Sequence, residues 1–216
     1  MGFCMSKKSQ ILISIFMIIC CIYAIVYYTD FKSDIYEAMT SKEVNTLYQA
    51  DTNIENTYIY DNFLEHFDCH GEKYYYAFIK LAGYDYPILL LSNGVYNFKN
   101  EAMAAMGTYI YYPIDNQITK LGSIGSDGTA YPISANTTGI FTAGGHEVTK
   151  YGLDLKNHQI KLINKYMMIF YTVGEEVKSI TIRITDDENQ IVTENEFDKA
   201  NKEYGDANII YFRRLC

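Results

Sequence analysis

Ile11 to Tyr28 is apolar or aromatic at every position except Ser14, and only Lys7 and Lys8 carry charge ahead of it. At about 1.5 Å per helical residue these positions reach roughly 27 Å, close to the hydrocarbon thickness of a bilayer, so the run predicts a transmembrane signal anchor. With both lysines in front and no acid before Asp30, the anchor places the N-terminus in the cytoplasm and the remainder outside. Cleavage after Ala24 is disfavoured by the bulky Ile22. Lipid attachment at Cys20 or Cys21 is disfavoured because neither follows a small residue.

Beyond Thr29 the periodicity changes twice. Phe31, Ile35, Met39 and Leu47 recur at helical spacing, and Tyr58 to Phe67 reads as a short helix with Phe63, Leu64 and Phe67 inward. From Lys73 short β-like runs alternate with turn residues. Tyr74–Leu81 and Pro87–Ser92 precede Asn93-Gly94; Thr108–Tyr112 and Ile118–Leu121 flank Asp115-Asn116 as a hairpin. Glu101–Met106 reads as a helical turn. Further strands are expected at Ala130–Ser134, Gly139–Thr142, Lys150–Leu155, Ile160–Ile163, Tyr166–Val173 and Val177–Ile184. Thr193 and Glu196 form a capping-box pattern opening a helix over Glu194–Lys202, and Ile209–Phe212 returns to a strand. The pattern predicts four parts: a cytoplasmic tail at 1–10, the anchor at 11–28, a helical membrane-proximal segment at 29–72 and a β-rich extracytoplasmic domain at 73–216. The class is α+β, a mainly antiparallel meander of partial-propeller type with a few flanking helices.

Charge narrows the partners. All 26 acids and all basic residues but Lys7 and Lys8 follow Thr29, leaving that part with ten more acids than bases. Such a surface repels nucleic acid and anionic lipid. The 22 tyrosines without a tryptophan suit half-buried strand positions. Of five cysteines only Cys69 and Cys216 follow the anchor, and in an oxidising compartment they can either bridge or stay free.

The stretch Tyr76–Leu91, YAFIKLAGYDYPILLL, resembles a strand, acidic turn and strand common in exported and lipoprotein-like proteins of Gram-positive anaerobes. In those proteins the turn is of the form D-x-D-G-x-G-x-P-E-L and is similar to the calcium loops of FG-GAP and VCBS repeats. The resemblance extends to the glycine-rich turn Leu121–Thr129, the turn Gly144–His146 and the helix start Thr193–Phe197. It implies no assigned activity. Lys80 and Ala82 stand where the first two aspartates belong and Ile88 replaces the glutamate, while Gly83, Asp85 and Pro87 remain. Calcium needs six to eight oxygens, several of them carboxylate. A turn kept as structure and stripped of metal is the expectation.

Candidate chemistry is thin. His66, Cys69 and His70 cluster with ligand-type side chains, but nothing in the chain completes a zinc spacing. His146 beside Glu147 could act as a base with an orienting acid, although neighbours on a strand face opposite ways. Gly122–Gly128 lacks the lysine of a phosphate loop. The residues expected to face a ligand are Asp127, Gly128, Gly144, His146 and Glu147, as members of turns. No cofactor, metal site or catalytic residue is assigned. The expected role is a noncatalytic binding or interaction module tethered to the cell membrane through Ile11–Tyr28, with an envelope protein or glycan as partner and no nucleic acid. The alternatives are an envelope-polymer hydrolase and an accessory subunit of a membrane complex.

Overall fold

The computed structural model describes residues 54–99 and 102–216, all within one compact unit spanning Asp51–Cys216. The anchor run Ile11–Tyr28, the helical stripe through Leu47 and the cysteines Cys4, Cys20 and Cys21 lie outside the described residues.

The described chain begins with a 3-10 turn at Thr57–Tyr60 and helix α1 (Asp61–Glu65). Strands β1 (Tyr75–Ile79), β2 (Ile88–Ser92), β3 (Val95–Asn97), β4 (Met103–Ala105), β5 (Gly107–Ile114) and β6 (Gln117–Gly125) follow. Next come β7 (Ser134–Asn136), β8 (Gly139–Gly144), β9 (Glu147–Asp154), β10 (Gln159–Val173), β11 (Glu176–Ile184) and β12 (Asn189–Val192). Helix α2 (Glu194–Asp206) and the short strands β13 (Asn208–Ile209) and β14 (Arg213–Arg214) end the chain. Every strand pairing is antiparallel. One sheet runs β14-β1-β2-β5-β6, a second β12-β11-β10-β9-β8-β7-β13, and β3-β4 forms a separate ribbon.

Alternation explains the stacking. Ala77, Ile79, Ile88, Leu90, Ile110 and Tyr112 share one face of the first sheet and pack against Ala135, Ile140, Leu153 and Ile160 of the second. At the closest approach a Cβ on Gly122 would lie 2.9 Å from Ile160 Cδ1, so a bare backbone is needed there. The opposite face of the first sheet carries Tyr76, Phe78, Leu89, Leu91 and Tyr111, covered by Ile59, Tyr60, Phe63, Leu64 and Phe67. Thus β2 is buried on both faces, each Leu or Ile contributing about 1.5–3 kcal/mol on transfer from water. On the outer face of the second sheet Phe141, Ala143 and Val148 are buried, and α2 lies over that sheet. Lys150 Nζ reaches Glu203 of α2 at 2.6 Å, and the Tyr204 hydroxyl donates to the Pro132 carbonyl at 2.9 Å.

The chain end stitches the layers together. Asn208 and Ile209 pair with Ala135 and Ser134 on the edge of the second sheet. Ile210 N–H donates to Ile133 O, and Phe212 N–H to Met103 O beside the β3-β4 ribbon. Arg213 and Arg214 then pair with Tyr76 and Tyr75 on the edge of the first sheet. Cys216 closes a disulfide to Cys69, with Cα atoms 6.7 Å apart and a sequence separation of 147.

Several expectations are corrected. The fold is mainly β rather than α+β: the described residues hold only two short α-helices, and the segment 54–72 contributes one 3-10 turn and a five-residue helix. The meander folds back as two stacked sheets instead of a partial propeller, because both faces of β2 and β8 are apolar and need covering on each side. Among the described residues no helix is long and apolar enough to cross a membrane, so the expected transmembrane helix and signal anchor have no counterpart in the described fold. Met103–Ala105 is a strand of the small ribbon and not part of a helical turn. Ile160–Ile163 and Tyr166–Val173 are one fifteen-residue strand, continuous through a bulge at Ile163. Thr193 sits at the N-cap of α2 without a side-chain cap bond, so the capping box does not close.

Candidate functional site

The length of β10 sets the geometry. Its first half pairs with β9 as far as Met167 opposite Glu147, and its second half pairs with β11 from Lys165 to Val173. Beyond Met168, whose N–H donates to His146 O at 2.8 Å, no strand among the described residues lies on the β9 side. On the other side β12 covers β11 only from Thr181 to Ile184. Residues 169–180 therefore leave the sheet as a two-stranded arm, turned by Gly174 and Glu175. Gly174 has φ +65°, as the first central position of a type II′ turn requires.

Directly opposed residues share a face, so register sorts the side chains. Met167 with Ile182, Ile169 with Ile180, Tyr171 with Lys178 and Val173 with Glu176 form one face; Ile191, opposite Ile182, joins it. This face continues the core-side surface of the second sheet past the point where the first sheet covers it. The other face holds Met168, Phe170, Thr172, Thr181, Ser179 and Val177. Eight large hydrophobic side chains are exposed among the described residues, and six of them, Ile169, Phe170, Tyr171, Val173, Val177 and Ile191, belong to β10, β11 and β12. Val177 is 71% exposed and Ile191 75%.

At the root of the arm the structure gathers the residues singled out from sequence. Asp127 N–H donates to Ala143 O, which lays the loop 126–128 against the end of β8. Gly144 sits between two acids: a Cβ there would lie 3.0 Å from Asp127 Cβ and 3.1 Å from Glu147 Cγ. Glu147 bonds Lys165 at 2.6 Å, across to β10. The His146 ring meets Phe170 edge-on with centroids 4.9 Å apart, while Gly128, at φ +87°, turns the loop away. His146 thus packs on the arm and Glu147 on a lysine; the base and orienting acid of a hydrolase are not assembled from this pair. The corner braces the root of the arm.

The remaining candidates are dispersed. Lys80 and Asp85 are exposed on the β1–β2 loop, held by Ala82 N–H donating to Thr137 O at 2.7 Å. His66 Nδ1 lies 2.9 Å from Asn62 O, and His70 contacts Asp68 at 3.1 Å. No group of three or more histidine, cysteine or acidic side chains among the described residues could hold a metal ion. Buried phenols are structural: the Tyr60 hydroxyl donates to Pro87 O at 2.6 Å, and burial, helped by Tyr112, pushes its pKa well above the usual tyrosine range. The arm itself was not singled out from sequence. Its signal is there, in an apolar run through β10 that exceeds β9 in length and ends in Gly174-Glu175.

Comparison of the chain with family models, with curated proteins and with solved structures finds no match.

Proposed function

We propose that this domain is a noncatalytic interaction module working outside the cytoplasm, and that it engages a protein of the cell envelope through the β10–β11 arm. The concentration of exposed apolar side chains on one protruding ribbon carries the reading. Water-exposed apolar area gathered in one place marks a contact surface, whereas scattered exposed residues do not. Open strand edges add unpaired backbone groups that a polypeptide can satisfy. The disulfide between Cys69 and Cys216 supports the location, since such bridges persist in oxidising compartments. The acidic balance of the chain argues against nucleic acid as partner.

The test is cosedimentation of the full chain with isolated envelopes, comparing wild type with Phe170→Ser/Val173→Thr/Val177→Thr. The triple variant removes side chains about half exposed or more and, of the contacts described, only the Phe170 edge on His146, so its thermal unfolding stays close to wild type while binding is lost. Protease treatment of the envelopes also abolishes wild-type binding. Equal sedimentation of wild type and triple variant would refute the arm as the contact surface.

A further inference from the structure

We infer that the outer edge of β11 pairs with the same edge of a second copy of this chain, making a twofold dimer centred on Val177. The inference rests on the reading of the arm as a contact surface and names its occupant. Three observations carry it. Among the described residues Glu176–Ile180 has no strand on its outer side, since β12 begins its pairing at Thr181. A two-stranded ribbon in water is marginal on its own, and a third and fourth strand would complete it. The charges on this edge are also self-complementary.

The register follows from the side chains. Antiparallel pairing of two identical strands that keeps each face on its own side must bring some residue opposite itself. With Val177 opposite the partner's Val177, Glu176 lies opposite the partner's Lys178 and Lys178 opposite the partner's Glu176. Glu176 and Lys178 already lie 3.5 Å apart within one chain, so the dimer closes four alternating charges on one face. Sliding one step either way sets Glu176 on Glu176 or Lys178 on Lys178, and like charges directly opposite are unfavourable. The favoured register also fits the available length. It pairs residues 175–179 of each copy, so the Gly174-Glu175 tip of one arm stops short of Thr181, where the last residue of β12, Val192, pairs in the other copy. Each open edge is filled and neither strand overlaps another. So short an edge falls below the usual area of a stable interface, about 1,200–2,000 Å², so association is reversible and rises with concentration.

Light scattering behind size exclusion, on the full-length chain in mild detergent over a concentration series, tests this. Wild type is expected to move toward twice the monomer mass as concentration rises. Glu176→Lys alone and Lys178→Glu alone each weaken association at least about tenfold, because each sets like charges opposite one another twice per dimer. The double exchange Glu176→Lys/Lys178→Glu restores wild-type association. A chain that stays monomeric throughout would overturn the dimer, as would association that ignores the single exchanges or is not rescued by the double one. A monomer that still binds envelopes through the arm would refute the second copy as occupant while leaving the interaction module standing.

Discussion

Single residues show where this fold has slack and where it has none. Gly139 opens β8 with its Cα against β9, and a methyl group there would lie 2.9 Å from Tyr151 O and 2.9 Å from Lys150 Cε. The lysine can move and the backbone cannot. Gly139→Ala is therefore expected to cost about 1–3 kcal/mol, read as a lower urea midpoint at unchanged slope. Ser134 is the opposite case. Its Oγ is buried with no hydrogen-bond partner, so the hydroxyl has been removed from water without compensation. Ser134→Ala should leave stability unchanged or raise it by about 1 kcal/mol; a clear loss in chemical denaturation would show that the hydroxyl does find a partner. Neither effect is visible in sequence, where Gly139 and Ser134 both read as ordinary strand ends.

At the scale of elements, local chemistry was legible and long-range pairing was not. Asp115 and Asn116 adopt φ +49° and +63°, and this Asp-Asn turn between β5 and β6 was readable because few residues tolerate two left-handed positions in succession. The bulge at Ile163 was hidden, because Asn164 and Lys165 look like a break in an apolar run when they only change the pairing register. The arm was hidden for a related reason: whether an apolar strand is covered depends on how far its neighbours extend. The C-terminal strap belongs here too, since β13 and β14 are two residues each and gain meaning only by joining two sheet edges. Locking that strap with Cys216 constrains a very long loop. Cys216→Ser is expected to lower stability by about 2–4 kcal/mol, and reduction of the wild type should match it in thermal unfolding. A variant as stable as the oxidised wild type would show that the pairing of Arg213 and Arg214 holds the strap unaided.

At the scale of the whole molecule, the described residues combine a covered, mainly aliphatic interior with a protruding apolar ribbon. Tyr60 and Tyr204 both have pKa values raised far above the ordinary 10.0, chiefly by burial. Their neutral forms are favoured by the fold, so this stabilisation is complete below the unfolded value and is lost as pH rises above about 10 toward the folded values. Alkaline titration should show phenolate absorbance from the exposed tyrosines first and from Tyr60 and Tyr204 only with unfolding. Against that well-covered interior the arm is the exception, and the functional reading depends on it. A photoactivatable side chain placed at Val177 in cells, with Tyr58 as an equally exposed control off the arm, addresses it directly. The account predicts covalent protein adducts from position 177 and few from position 58; no adduct at 177, or equal yields at both, would contradict it.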